Sequence, residues 1–166
     1  DPAIYTAATY QKGIPYGAVS GFAPGFTGTD LSSINVLNST SPNSGLTPNG
    51  AASDAWILTS VESLFLQAEA RERGIINSGD DAKTRLTAAI KESFLSLGLT
   101  NANANTYINN NAGYSDVDYD AVVDPASGVF LPGGLYTIIS QKWFALNGIN
   151  PLEVWTDYRR TDVVYG

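Results

Sequence analysis

Between Thr59 and Gly98 the chain carries two helix-forming stretches of similar length, joined by a connector too short to do anything but turn back. Thr59-Ser60-Val61-Glu62 fits a capping box, in which the threonine hydroxyl takes an exposed backbone N–H and the glutamate reaches back to the cap. Val61, Leu64, Phe65, Ala68 and Glu72 then follow the helical repeat, and Gly74 stands where a helix ends. After Ile75-Ile76-Asn77-Ser78-Gly79, Asp80 or Asp81 can cap a second helix. That helix puts Ala82, Leu86, Ala89, Ile90 and Phe94 on one stripe and stops at Gly98. Two such helices must pack antiparallel, and small Ala68, Ala70 and Ala89 let their backbones approach closely.

The pair resembles one tetratricopeptide-like unit, with Leu66, Ala70, Ala82, Leu86 and Ala89 near that repeat's core positions. No second copy is visible. One unit cannot bury both of its faces, so other helices must cover it. Two candidates lie downstream. Leu135 to Leu146 predicts a helix with Leu135, Ile138, Ile139, Trp143 and Leu146 inward and Lys142 snorkelling to solvent. Asn147-Gly148 closes it, and Pro151 suits the first turn of another helix, on which Leu152, Trp155 and Tyr158 share a face. The Asn-rich stretch 101–111 suits a loop or a short helix around Tyr107, followed by an irregular piece to Gly134. Residues 1–56, punctuated by Gly13, Pro15, Gly17, Gly21 and Pro24, read as a loop-rich segment packed on the core, and 57–166 as the helical region. The expected class is all-α, mainly helical: tetratricopeptide-like hairpins with long irregular loops.

Composition excludes several chemistries. The chain has no cysteine, histidine or methionine, so a Ser-His-Asp or Cys-His mechanism cannot be built from its own residues, nor can a thiolate or imidazole metal site. A net charge of −7 without a basic stripe argues against nucleic acid. No apolar run approaches the ~18 to 20 residues of a spanning helix. An opening of Asp1-Pro2 without methionine predicts a fragment of a longer protein.

Two segments carry a family resemblance. Leu64-Phe65-Leu66-Gln67-Ala68-Glu69-Ala70 with Gly74 is one. The other is Gln141-Lys142-Trp143-Phe144-Ala145-Leu146 followed by Glu153-Val154-Trp155-Thr156-Asp157-Tyr158-Arg159-Arg160-Thr161. Together they resemble the carboxy-terminal portion of the SusD/RagB-like outer-membrane lipoproteins, and the second block is the more specific. The likeness covers about Thr59 to Thr161, whereas residues 1–56 match only in character. The resemblance implies a helical, non-catalytic nutrient-binding protein at the cell-surface face of a bacterial outer membrane. A lipid anchor outside this chain would hold it there, presenting oligosaccharide or polysaccharide to a SusC-like TonB-dependent transporter. It implies no cofactor and transfers no active-site residue. The resemblance implies a full-length protein several times this length.

Glycan binding suits aromatics on polar, glycine-rich loops, where an exposed ring stacks on a sugar face while Asn and Ser supply hydrogen bonds. Tyr10, Tyr16, Phe22, Phe26 and Trp56 are the candidates, and their bland role is to anchor loops to a helical core. Trp143, Trp155, Tyr158, Arg159 and Arg160 could form a sugar platform, but their helical spacing favours packing, with Arg159 or Arg160 pinning a carboxylate. Asp116, Asp118 and Asp120 alternate like the start of a calcium loop. Ala121 and Ser127 occupy the positions that need glycine and a bidentate glutamate, so an EF-hand is excluded, no metal is expected, and solvated loop carboxylates are the default. Glu62 and Glu69 stand roughly 10 Å apart by helical rise, which does not favour a glycosidase pair, and Glu69 is expected to be partnered between helices. A helical protein-interaction scaffold without glycan affinity is the alternative reading, and a glycoside hydrolase the third.

Overall fold

A computed structural model of the chain describes residues 56–123 and 131–161, which form five helices and no strand. Helix α1 (Ser60–Glu72) is capped by Thr59, whose hydroxyl accepts from the Glu62 N–H at 3.1 Å. Only this half of the expected capping box forms. Glu62 is buried instead, and its Oε2 accepts from the Asn150 amide at 3.4 Å. The helix closes in a Schellman turn: Gly74, at φ +70°, donates to the Arg71 carbonyl while Ile75 donates to the Ala70 carbonyl. Helix α2 (Ala82–Ser96) is capped by Asp81, which accepts from Thr84 N–H at 2.7 Å, and ends in the same way at Gly98.

The two helices run antiparallel. Ser60, at the start of α1, donates to Glu92 near the end of α2, and Arg85, near the start of α2, donates to Gln67 in the later half of α1. Ala68 and Ala89 are both 0% exposed at the seam, so a methyl is the largest side chain the contact admits at either position. Val61, Phe65, Leu86 and Ile90 complete this part of the core. Leu66, expected at a core position, is 41% exposed, because the stripe that meets α2 passes through Val61, Phe65 and Ala68.

The short-helix reading of the Asn-rich stretch holds. Helix α3 (Asn101–Asn110) begins with the reciprocal capping box that α1 lacks: Thr100 accepts from Asn103 N–H, and the Asn103 side chain accepts from Thr100 N–H. It packs on α2, placing Tyr107 against Phe94 with ring centroids 5.4 Å apart.

Helix α4 (Gly133–Leu146) covers the hairpin that could not close alone, packing on both α1 and α2 through fully buried Ile138. Its opposite side holds the connector 111–123. Thr137 donates to the Ser115 carbonyl at 2.7 Å, Gln141 to the Asp116 carbonyl at 2.8 Å and Tyr136 to the Asp116 carboxylate at 2.7 Å. Gly134 permits this approach, since a Cβ there would lie 2.6 Å from the Tyr119 ring. The three aspartates remain solvent-accessible, as expected, and each also holds a partner. Asp116 takes the Tyr136 hydroxyl, Asp118 takes the N–H groups of Gly113 and Asp120, and Asp120 pairs with Lys83. Among the described residues no three carboxylates are grouped as a metal site would need.

Helix α5 (Pro151–Thr161) corrects two expectations. Trp155, whose spacing favoured packing, lies outward at 54% exposed on the face it shares with Leu152, and the residue that α5 buries is Asp157. Lys142 does not snorkel. Its side chain is 1% exposed, with Nζ 2.8 Å from Asp157 Oδ2, because the incoming α5 roofs over the position where solvent was expected.

Candidate functional site

The densest polar cluster ties α5 to α1 and α4. Arg160 grips Glu69 with both terminal guanidinium nitrogens, at 2.5 and 2.6 Å, and also donates to Asp157 at 2.6 and 2.9 Å. Arg73 adds a 2.7 Å bond to Glu69, and Asp157 completes the cluster by pairing with Lys142. The expectation that Glu69 is partnered between helices, and that one of the two arginines pins a carboxylate, holds; Arg160 is the one, and Arg159 is exposed.

The chemistry of this cluster is that of a clamp. Burial pushes the Glu69 carboxyl up, but the hydrogen bonds and positive charges of Arg160 and Arg73 outweigh it and hold the group below the ordinary glutamate range. A general acid of a glycosidase needs the opposite shift. Both Glu69 oxygens are already taken by arginine.

Of the aromatics singled out in the sequence, Tyr10, Tyr16, Phe22 and Phe26 lie outside the described residues, and Trp56 lies within them. Trp56 is 49% exposed and walls a hollow of about 290 Å³ with Leu58, Ser60, Ser96, Leu97 and Ile149. It thus combines a half-open ring with serine hydroxyls nearby, beside the point where α1 begins and α2 ends. Trp143 is partly buried, edge-on to Phe144 at 5.1 Å, and Trp155 stands 5.3 Å from Tyr158 on the outer face of α5.

Leu97 also walls a second depression, of about 410 Å³, which runs between α2, α3 and α4 past Phe94, Tyr107, Gln141 and Phe144. Among the described residues that line them, neither hollow has an Asp, Glu, Lys or Arg. Sequence reasoning did not find this second depression. It assigned Phe94 and Phe144 to helices as core or motif residues, and the one signal that could have marked it was an isolated tyrosine at position 107 among asparagines.

A family model described as SusD-like_2, starch-binding associating with outer membrane, matches residues 1–164. No curated protein and no solved structure matches the chain.

Proposed function

We propose, since this chain belongs to the SusD-like family, starch-binding associating with outer membrane, that it captures a neutral glycan for import and leaves it chemically unchanged. The carrying observation is the pair of aromatic-walled hollows whose lining, among the described residues, holds no carboxylate, ammonium or guanidinium. A sugar ring offers an apolar C–H face to stack on an indole or phenyl ring and hydroxyls for nearby polar groups, and it needs no counter-charge. The buried carboxylates serve a different end, since Glu69 is locked as an anion by two arginines.

In this reading Trp56 is a glycan contact, joined by Tyr10, Tyr16, Phe22 and Phe26. The helices 57–166 form the platform and residues 1–56 the recognition segment. The partner that receives the glycan is a SusC-like TonB-dependent transporter, and a lipid anchor elsewhere in the full-length protein holds the assembly at the cell-surface face of the outer membrane.

Affinity electrophoresis of the full-length protein through gels containing starch and other neutral polysaccharides tests this. Retardation by at least one of them, weakened by Trp56→Ala, is the expected result. Migration unaffected by every polysaccharide, or turnover of a glycan by the pure protein, contradicts it. A scaffold reading draws on one observation, the exposed Leu152 and Trp155 of α5. Co-purification with an outer-membrane barrel, abolished by Trp155→Ala and unaccompanied by any glycan retardation, would select it.

A further inference from the structure

The geometry points to the depression between α2, α3 and α4 as a second sugar subsite, in which Tyr107 donates its phenolic proton to a hydroxyl of a neutral hexose unit stacked along Phe94 and Phe144. The assignment rests on the glycan reading above and adds to it a position and a donor.

The argument begins at Gln141. Its side-chain nitrogen has two hydrogens, and both are placed: one on the Tyr107 hydroxyl oxygen at 3.0 Å, the other on the Asp116 backbone carbonyl at 2.8 Å. The carbonyl fixes which end of the amide is nitrogen, because the opposite orientation would set two acceptors against each other. Gln141 is itself 4% exposed and held on α4, so this arrangement is rigid. The Tyr107 oxygen is therefore an acceptor toward Gln141, and its own O–H has no partner among the described residues. Burial pushes the phenol above its ordinary range, so the proton stays on the oxygen at any physiological pH. The result is a preset donor on the wall of the depression.

The surroundings specify what accepts from it. A volume of about 410 Å³ falls within the range of roughly 300 to 1,000 Å³ typical of small-ligand sites. Phe144, 48% exposed at the rim, and Phe94, tilted 42° to Tyr107 with ring centroids 5.4 Å apart, supply ring surface. Ser93 and Asn147 supply a hydroxyl and an amide. An apolar occupant would leave the Tyr107 proton unpaired in a dried contact, and an ionised occupant would meet no opposite charge. A neutral, hydroxyl-rich ring satisfies both conditions. Leu97, common to this depression and to the hollow beside Trp56, makes the two adjoin, so one oligosaccharide chain could lie across both.

The test uses full-length protein in titration calorimetry and affinity gels against soluble starch, galactomannan and xyloglucan, with polygalacturonate as the acidic probe. For the neutral glycan that binds, Tyr107→Phe is expected to weaken affinity by roughly 3- to 10-fold, the effect of one lost hydrogen bond. Phe144→Ala, at the rim, serves as a second variant that leaves the Gln141 contact intact and should weaken binding likewise. Thermal melting checks that both variants remain folded. Binding unchanged in both variants but reduced by Trp56→Ala overturns the second subsite and leaves the glycan function standing. Binding of polygalacturonate in preference to every neutral glycan also overturns it, and no binding to any probe overturns both.

Discussion

Lys142 Nζ and Asp157 Oδ2 lie 2.8 Å apart with side chains 1% and 8% exposed, a charge pair sealed between α4 and α5. Its physical character is unlike that of a surface ion pair, because an uncompensated charge at this depth has no water to turn to. Asp157→Ala strands the ammonium and is expected to cost about 3 to 5 kcal/mol, read as a lowered denaturation midpoint. Replacing both partners with apolar residues, Lys142→Met together with Asp157→Leu, should recover most of the loss.

Glu69 gives a pH dependence of definite sign. Its carboxyl in the folded chain sits below its unfolded value, so its contribution is complete above the unfolded value and lost as pH falls through the folded one. Stability is expected to be level from neutrality to about pH 5 and to fall below about pH 4. Glu69→Gln should flatten that acid limb while lowering stability at pH 7, where the neutral amide cannot satisfy Arg160. Urea titrations at a series of pH values read both effects.

The seam between α1 and α2 predicts a strong size limit. Ala68 and Ala89 are fully enclosed, and enlarging either forces the helices apart. Ala89→Leu should destabilise by about 1 to 3 kcal/mol, whereas Ala88→Leu, one position earlier and facing solvent, should change little. Thermal melts of the two variants make the comparison.

Gly74 isolates a backbone effect. A Cβ at this position meets nothing within 4 Å, yet φ is +70°. Gly74→Ala should therefore cost about 1 kcal/mol from conformation alone, without a steric component, measurable by chemical denaturation.

How far the sequence disclosed this molecule depended on whether the signal was local. The α1–α2 hairpin, its caps at Thr59 and Asp81 and its stops at Gly74 and Gly98 were all readable, because capping and the 3.6-residue repeat act within a few residues. Lys142 and Trp155 were misjudged for a shared reason: their exposure depends on the direction from which α5 arrives, which no local pattern records. The same holds for the Gln141–Tyr107 contact, made between residues 34 positions apart. The family resemblance fared better, since the Trp143 and Tyr158-Arg159-Arg160 pattern encodes tertiary partners in a form that periodicity alone does not. Of the five loop aromatics put forward, Trp56 alone falls where its surroundings can be described.

The grip of Arg160 on Glu69 joins residues 91 positions apart. Ring closure over so long a span yields nothing until the intervening helices stand, while the neighbouring hairpin forms from short-range contacts. The α1–α2 hairpin, at the start of the described region, can therefore form from its own contacts, whereas the anchoring of α5 on Glu69 requires the helices between them to be in place. A closing helix fastened by ions rather than grease has a fastening that acid can loosen, because protonating Glu69 takes away the anion that Arg160 holds.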